Sequence, residues 1–262
     1  MDALRDHPWF EITALAASER SAGKRYGEAL RDAKTGALRW WCSGTPPAAA
    51  LDLPVTAGAD LDARSVELVF SAIETDAARE YEPRWAAERP VISTASAFRY
   101  EEDVPLLVPG VNLEHAPLLH TQRTRRGWRG FVAPIPNCTT TGLVIALKPL
   151  HDRYGVEKVV LTSMQGISGA GRSPGVAALD ILDNIVPFIP GEEEKVARET
   201  RKILGTLGEG AITPASCIVS ATCTRAAVLE GHTEVVSLAL AAACTPADAA
   251  ATLRAYDGGV AG

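Results

Sequence analysis

Residues 66–73, VELVFSAI, form a nearly continuous apolar run, and this run most narrows the folds open to the chain. A strand of that kind is covered on both faces, as in a parallel sheet flanked by helices. The neighbouring segments fit that frame. EITALAA (11–17) reads as a strand and GKRYGEALRDA (23–33) as the helix after it. TDAAREYEPRWAAE (75–88) reads as helix, PVIST (90–94) as a short strand and VPLLVP (104–109) as another. This βαβα order predicts a doubly wound, Rossmann-like α/β domain over residues 1–133.

Beyond Gly130 the pattern changes. TGLVIALKPLHDRY (141–154) has Leu143, Leu147 and Leu150 at helical spacing, and VEKVVLTSMQ (156–165) reads as a long strand. GVAALDILDNIV (175–186) and EEEKVARETRKILG (192–205) read as helices, the second closed by Gly205. CIVSATC (217–223) and AAVLEGHTEVVSLAL (226–240) supply long strands, and TPADAAATLRAY (245–256) a helix opened by Thr245 as N-cap. Long strands without strict alternation predict an α+β domain over residues 134–262.

Composition excludes several functions. With 47% hydrophobic and 22% charged residues the chain has the make-up of a soluble globular protein. A net charge of -6 gives no general nucleic-acid footprint, and the arginines of RTRRGWR (123–129) read as a solvated loop or contact surface. The five cysteines, Cys42, Cys138, Cys217, Cys223 and Cys244, show no zinc-like spacing, so no metal site is expected. MDALRDHPWFE does not read as a secretory leader, and no apolar stretch reaches membrane-spanning length. A reducing, cytoplasmic setting is the expectation.

Five places carry chemistry. In PIPNCTTTGL (134–143) a cysteine stands where a helix begins; free N–H groups and the helix dipole there favour a thiolate, although a buried structural cysteine is the plainer reading of that segment alone. TSMQGISGAGRSPGV (162–176) is a glycine-rich turn after a strand, able to admit a phosphate or a planar ring, or to be a simple crossover. Arg225 and His232 offer a carboxylate clamp and a proton acceptor. Their odd separation sets them on opposite faces of one unbroken strand, unless Gly231 introduces a bend. Glu199 and Lys202 share a helix face at i, i+3. Ser18, Arg20, Ser21 and Lys24 follow the first strand, where basic and hydroxyl groups suit a 2′-phosphate, with Glu19 opposing.

Together these stretches resemble the aspartate-β-semialdehyde dehydrogenase family, in its archaeal and fungal branch. The resemblance runs through ASERSAGKRYGEAL, STASAFRYEEDVPLLVPGVNLEH, QRTRRGWRGFVAPIPNCTTTGL, TSMQGISGAG, IPGEEEKVARETRKILG and RAAVLEGHTE, nearly the whole chain. It implies reversible conversion of aspartyl phosphate to the semialdehyde with NADP, serving lysine, threonine and methionine synthesis. It implies Cys138 as the nucleophile forming a thioester, His232 as acid/base and Gln165 as holder of the acyl group. Asn137 and the Cys138 N–H become candidate oxyanion donors. By the same resemblance Arg225 would bind the substrate carboxylate and Glu199 its amino group, while Arg99 and Lys202 would hold phosphate. Ser18, Arg20 and Ser21 would meet the cofactor's 2′-phosphate, and Ser168 and Gly169 its nicotinamide side.

Measured against the family, the chain is expected to lack the first strand and its Gly-rich pyrophosphate turn, and to stop before the second domain is complete. Thr94, PIPN (134–137) and Ala226–Ala227 depart from the family's usual asparagine, NPN and valine-proline. A homodimer or homotetramer through the second domain's sheet is implied by analogy. The alternatives are a malonyl-CoA reductase type of acyl reductase and a non-catalytic truncated remnant.

Overall fold

The computed structural model describes residues 1–42, 44–170 and 181–259. Strands β1 (Leu15–Ala17) and β2 (Val55–Ala57) pair in parallel. Strands β3 (Val69–Ser71), β4 (Val91–Ser93) and β5 (Val132–Pro134) form a second parallel set in that order. Helix α1 (Tyr26–Ala29) is a single turn, shorter than the helix expected over 23–33, and α2 (Ala48–Leu51) is a second single turn. Helix α3 (Thr75–Ala86) crosses from β3 to β4, and α4 (Leu118–Arg126) precedes β5. The parallel, helix-crossed arrangement is the Rossmann-like one expected. Each strand keeps only three residues, since the rest of each apolar run finds no ladder partner. A groove of about 820 Å³ is lined by residues of both β1 and β3.

VPLLVP is not a strand. Pro105 and Pro109 lack the N–H a ladder needs, and the side chain of Asn112 takes the ladder's place. Its Oδ1 accepts from Val108 N at 2.8 Å and its Nδ2 donates to Leu106 O at 2.7 Å. Leu106, Val108 and Val111 thereby enter the second half's core without being in a sheet.

That second half is built on β6 (Val156–Gln165), with the same bounds the sequence suggests. Strand β10 (Ile218–Ala226) lies parallel to it and β11 (His232–Leu240) antiparallel on its other edge. Two-residue strand β7 (Ile185–Val186) pairs with the end of β10, and β8 (Thr206–Leu207) and β9 (Ile212–Thr213) make a small hairpin. Of the helix expected at 175–186, residues 175–180 lie outside the described residues, and the segment ends not as helix but as strand β7, because Ile185 and Val186 find ladder partners in Ala226 and Arg225. Helices α5 (Cys138–Tyr154) and α6 (Glu192–Ile203) cover one face of the sheet. Their Leu143, Leu147, Val196 and Ile203 pack on Val159 and Leu161 of β6. Helix α7 (Pro246–Ala255) has Thr245 as N-cap in a reciprocal capping box with Asp248. The sheet's other face leaves Val160, Ile218 and Val235 exposed.

On α3, fully buried Glu82 bridges two parallel strands: its Oε1 accepts from Ser71 Oγ of β3 and Ser93 Oγ of β4, both at 2.6 Å. Its Oε2 has no partner. Burial pushes this carboxyl above its usual range, against the pull of the two serines. The folded form therefore keeps the proton longer than the unfolded chain, and stability falls as pH rises past the ordinary carboxylate range. Glu82→Gln should keep both serine bonds and flatten that decline in urea titrations between pH 5 and pH 9. Glu82→Ala should cost about 1–3 kcal/mol by stranding buried hydroxyls.

Candidate active site

The sheet resolves the Arg225 and His232 problem in a way that a bend does not. They lie on different strands, β10 and β11, and both are in register with Gln165 at the end of β6. Residues directly opposite in a sheet share a face, so Arg225, Gln165 and His232 form one row facing α5 and α6. The connection 227–231 crosses the end of β6, where Gly166 N, Ile167 N and Ser168 N bond to Gly231 O, Val228 O and Leu229 O. A side chain at Gly166 would collide with Gly231 O at 2.6 Å, so the crossing needs glycine there.

Cys138 is the first residue of α5 and opens on a cleft lined also by Gly142, Ser168, Gly169, Gly231, His232 and Glu234. Its Sγ lies 3.1 Å from His232 Nε2, and His232 Nδ1 accepts from Gly166 N at 3.1 Å. The thiol is not lowered as its helix position suggests. Burial and the Glu192 carboxylate push it up, outweighing the N–H groups of Thr139 and Cys138 and the Arg225 guanidinium. The resting group is a thiol, and making the thiolate requires moving its proton.

Asn137 is the N-cap of α5, and its groups are engaged. Oδ1 accepts from Thr140 N at 3.2 Å, Nδ2 donates to Glu192 Oε1 at 2.8 Å, and its N–H donates to Glu199 Oε2 at 2.6 Å. It fixes the helix start; the N–H groups at Cys138 and Thr139 lie beside the sulfur instead. Gln165 is buried, with Nε2 at 3.3 Å from both Ser163 Oγ and Glu192 Oε1. Arg225 is also buried and donates Nη1 to Gly166 O at 2.8 Å.

Glu199 does not open on the cleft. Fully buried, it accepts from Arg99 Nη1 at 3.0 Å and Tyr100 Oη at 3.1 Å on Oε1, and from Asn137 N on Oε2. Burial and Glu199 together push the Tyr100 phenol up, so it stays a donor. Arg99 gives Nη2 to Thr94 O and keeps Nε without a partner. Lys202 donates to Arg99 O and Glu101 O at 2.8 and 2.9 Å, and burial, with Arg198 nearby, brings its ammonium down to about 8.

The carboxylate that reaches Gln165, Asn137 and the thiol is Glu192, with Lys195 at 3.6 Å. This pair repeats the i, i+3 spacing of Glu199 and Lys202 two turns earlier on α6. The buried face of that helix runs Glu192, Val196, Glu199, Ile203, so the seven-residue step between the glutamates was a readable signal.

Two regions suit a dinucleotide. At Gly169 an added Cβ would sit 3.1 Å from Arg225 Nη1 and 3.3 Å from His232 Cε1, so bare backbone approaches the row closely. Ser18, Arg20 and Ser21 lie on a turn at the carboxyl end of β1, with Ser21 N bonded to Ser18 O; Ser18 and Arg20 are exposed. Carboxyl ends of parallel strands are where such ligands bind. Among the described residues no cluster suited to a metal occurs, and no helix is long and apolar enough to cross a membrane.

Residues 1–118 match the family model "Semialdehyde dehydrogenase, NAD binding domain", and residues 147–259 match "Semialdehyde dehydrogenase, dimerisation domain". The aspartate-semialdehyde dehydrogenase of Methanothermobacter thermautotrophicus is 46% identical, over 90% of this chain and 66% of its own length. That of Candida albicans is 41% identical, over 97% of this chain and 72% of its own. The crystal structure of the Candida albicans enzyme with NADP superposes with a TM-score of 0.84 at 38% identity, covering 97% of this chain and 71% of that one. Aspartate semialdehyde dehydrogenase II of Vibrio cholerae, complexed with ASA, gives a TM-score of 0.75 at 26% identity, covering 98% and 74%. The chain thus spans about two thirds of the length of the curated relatives it matches.

Removing one member of a buried ion pair leaves the other uncompensated, at about 3–5 kcal/mol. Glu199→Ala should therefore lower stability by that amount in urea titration, while Glu192→Gln, which keeps the acceptor to Asn137 and Gln165, should unfold at nearly the wild-type urea concentration.

Proposed function

The chain belongs to the aspartate-semialdehyde dehydrogenase family, and from that premise we propose that it interconverts L-4-aspartyl phosphate and L-aspartate 4-semialdehyde using NADP. The observation that carries this reading is the 3.1 Å contact between Cys138 Sγ and His232 Nε2, at a helix start and beside the Gln165–Arg225 row. When bound, NADP supplies or accepts the hydride. Cys138 attacks the acyl carbon and holds it as a thioester; His232 manages the proton at the sulfur and at the phosphate; the Cys138 N–H faces the carbonyl oxygen.

Arg225, anchored to Gly166 O by one nitrogen, has donors left for the substrate carboxylate. We assign the substrate's ammonium to Glu192 rather than Glu199, because Glu199 has no unused acceptor facing the cleft and Glu192 lies beside the thiol. Lys195 and the unpartnered Arg99 Nε are the groups left for phosphate, with Lys202 holding the Arg99 loop. An acid beside the nucleophile suits an amino-acid substrate and gives a CoA thioester nothing to pair with. Ser18, Arg20 and Ser21 take the 2′-phosphate, and Ser168 and Gly169 the nicotinamide side.

The division between cofactor and catalytic parts falls near residue 133, within β5 and just ahead of the cysteine helix. The open sheet face with Val160, Ile218 and Val235 is where a second copy docks. Phosphate-dependent formation of NADPH from aspartate semialdehyde tests the whole reading. Cys138→Ala should remove it by about 10⁴-fold or more. Glu192→Gln should raise KM for the semialdehyde roughly tenfold to a hundredfold, as loss of a charged hydrogen bond does. An active Cys138→Ala protein would overturn the assignment of the nucleophile.

A further inference from the structure

Gly142 stands inside α5, where glycine costs about 1 kcal/mol against alanine. The space beside it is taken by Glu234, whose Oε1 would lie 3.4 Å from a Cβ at Gly142. Cys138 and Gly142 are one turn apart on α5, so they share a face of the helix. His232 and Glu234 are two residues apart on β11, so they share a face of the strand. Cys138 therefore meets His232 and, one step down, Gly142 meets Glu234, in a single cleft.

Glu234 has no hydrogen-bond or ionic partner among the described residues, and burial alone brings its carboxyl up to about 7. The charged and titratable groups around it are His232 on its own strand, Cys138 from α5, Cys223 and Arg225 on the same sheet face, and Glu192 and Glu193 from α6. Ser163, its register partner, is neutral.

We propose that Glu234 is the residue through which His232 exchanges protons with water during turnover. It is a positioning and relay group that does not touch the substrate, and the proposal rests on the reading of Cys138 and His232 as the reacting pair. In the reductive direction acyl phosphate, reduced cofactor and one proton become aldehyde, oxidised cofactor and phosphate. The departing phosphate carries that proton away. His232 gives it up, Glu234 restores it to the imidazole, and bulk water at the cleft mouth restores it to Glu234. Both side chains line the cleft from one face of β11, so a water seated between them links imidazole and carboxyl. Oxidation runs the same chain backwards. The filled carboxyl serves reduction and the empty one serves oxidation, so reductive kcat should fall, and oxidative kcat rise, as pH passes about 7.

The test compares wild type, Glu234→Gln, Glu234→Asp and Glu234→Ala. In Glu234→Gln, kcat should drop about tenfold to a hundredfold with KM little changed, and the inflection near pH 7 should vanish. Glu234→Asp should recover part of the rate, and formate should rescue Glu234→Ala. Thermal melts control for folding: Glu234→Gln should melt above wild type at pH 8, because it removes a buried carboxylate that resists ionisation. Alkylation of Cys138 by iodoacetamide reads the pair without turnover, and its pH profile should lose an inflection near 7 in Glu234→Gln. A wild-type chain with no NADP-linked activity would sink the assignment of function, leaving alkylation to judge Glu234. Superimposable wild-type and Glu234→Gln profiles in whichever assay responds would overturn the relay.

Discussion

The Glu199 carboxylate is the junction on which the rest of the site depends. Both of its oxygens are out of water, and each is taken up by a different part of the chain: Arg99 and Tyr100 from the segment after β4, Asn137 N from the start of the cysteine helix. A buried charge of this kind persists only when all of its partners arrive together. The Rossmann-like half, α5 and α6 are thereby fixed to one another, and Cys138 is fixed with them. Asn137 extends the junction by one residue, tying the same helix start to Glu192 and thence to Gln165.

Around this junction the site divides its labour between helix ends and strand ends. The helix start supplies sulfur and N–H groups; the strand ends supply Gln165, Arg225 and His232 in a row. Neither is reactive alone. Burial and Glu192 hold the thiol protonated, so the sulfur waits for His232 and for a bound substrate to draw off its proton and offset the neighbouring carboxylate.

Much of this was legible in the sequence, and the failures have physical causes. The bounds of β6 and the N-cap at Thr245 follow from local pattern, because apolar alternation and an N-cap hydroxyl act within a few residues. The cysteine helix is equally local. The short strands of the first half are not, since their length is set by partners far along the chain. VPLLVP shows hydrophobicity without ladder capacity, its prolines lacking the donors that Asn112 then replaces. Arg225 and His232 look incompatible on one strand because the sequence cannot show that β6 lies between them. Glu192 was hidden behind Glu199 for a related reason: both occupy the same stripe of α6, and only packing decides which one lies beside Gln165 and the thiol and which one beside Arg99 and Tyr100.

The row of Gln165, Arg225 and His232 has a consequence for assembly of the molecule. Strand side chains alternate faces, so sliding β11 by a single residue along β6 would turn His232 outward and bring Thr233 or Gly231 into its place. The same slip in β10 would remove Arg225. A mispaired sheet could still bury valines and leucines well enough to look folded, yet it would present a bare cysteine with no histidine opposite. Reactivity at Cys138 thus acts as a proofreader of strand alignment, distinguishing the correctly threaded sheet from a compact near-miss.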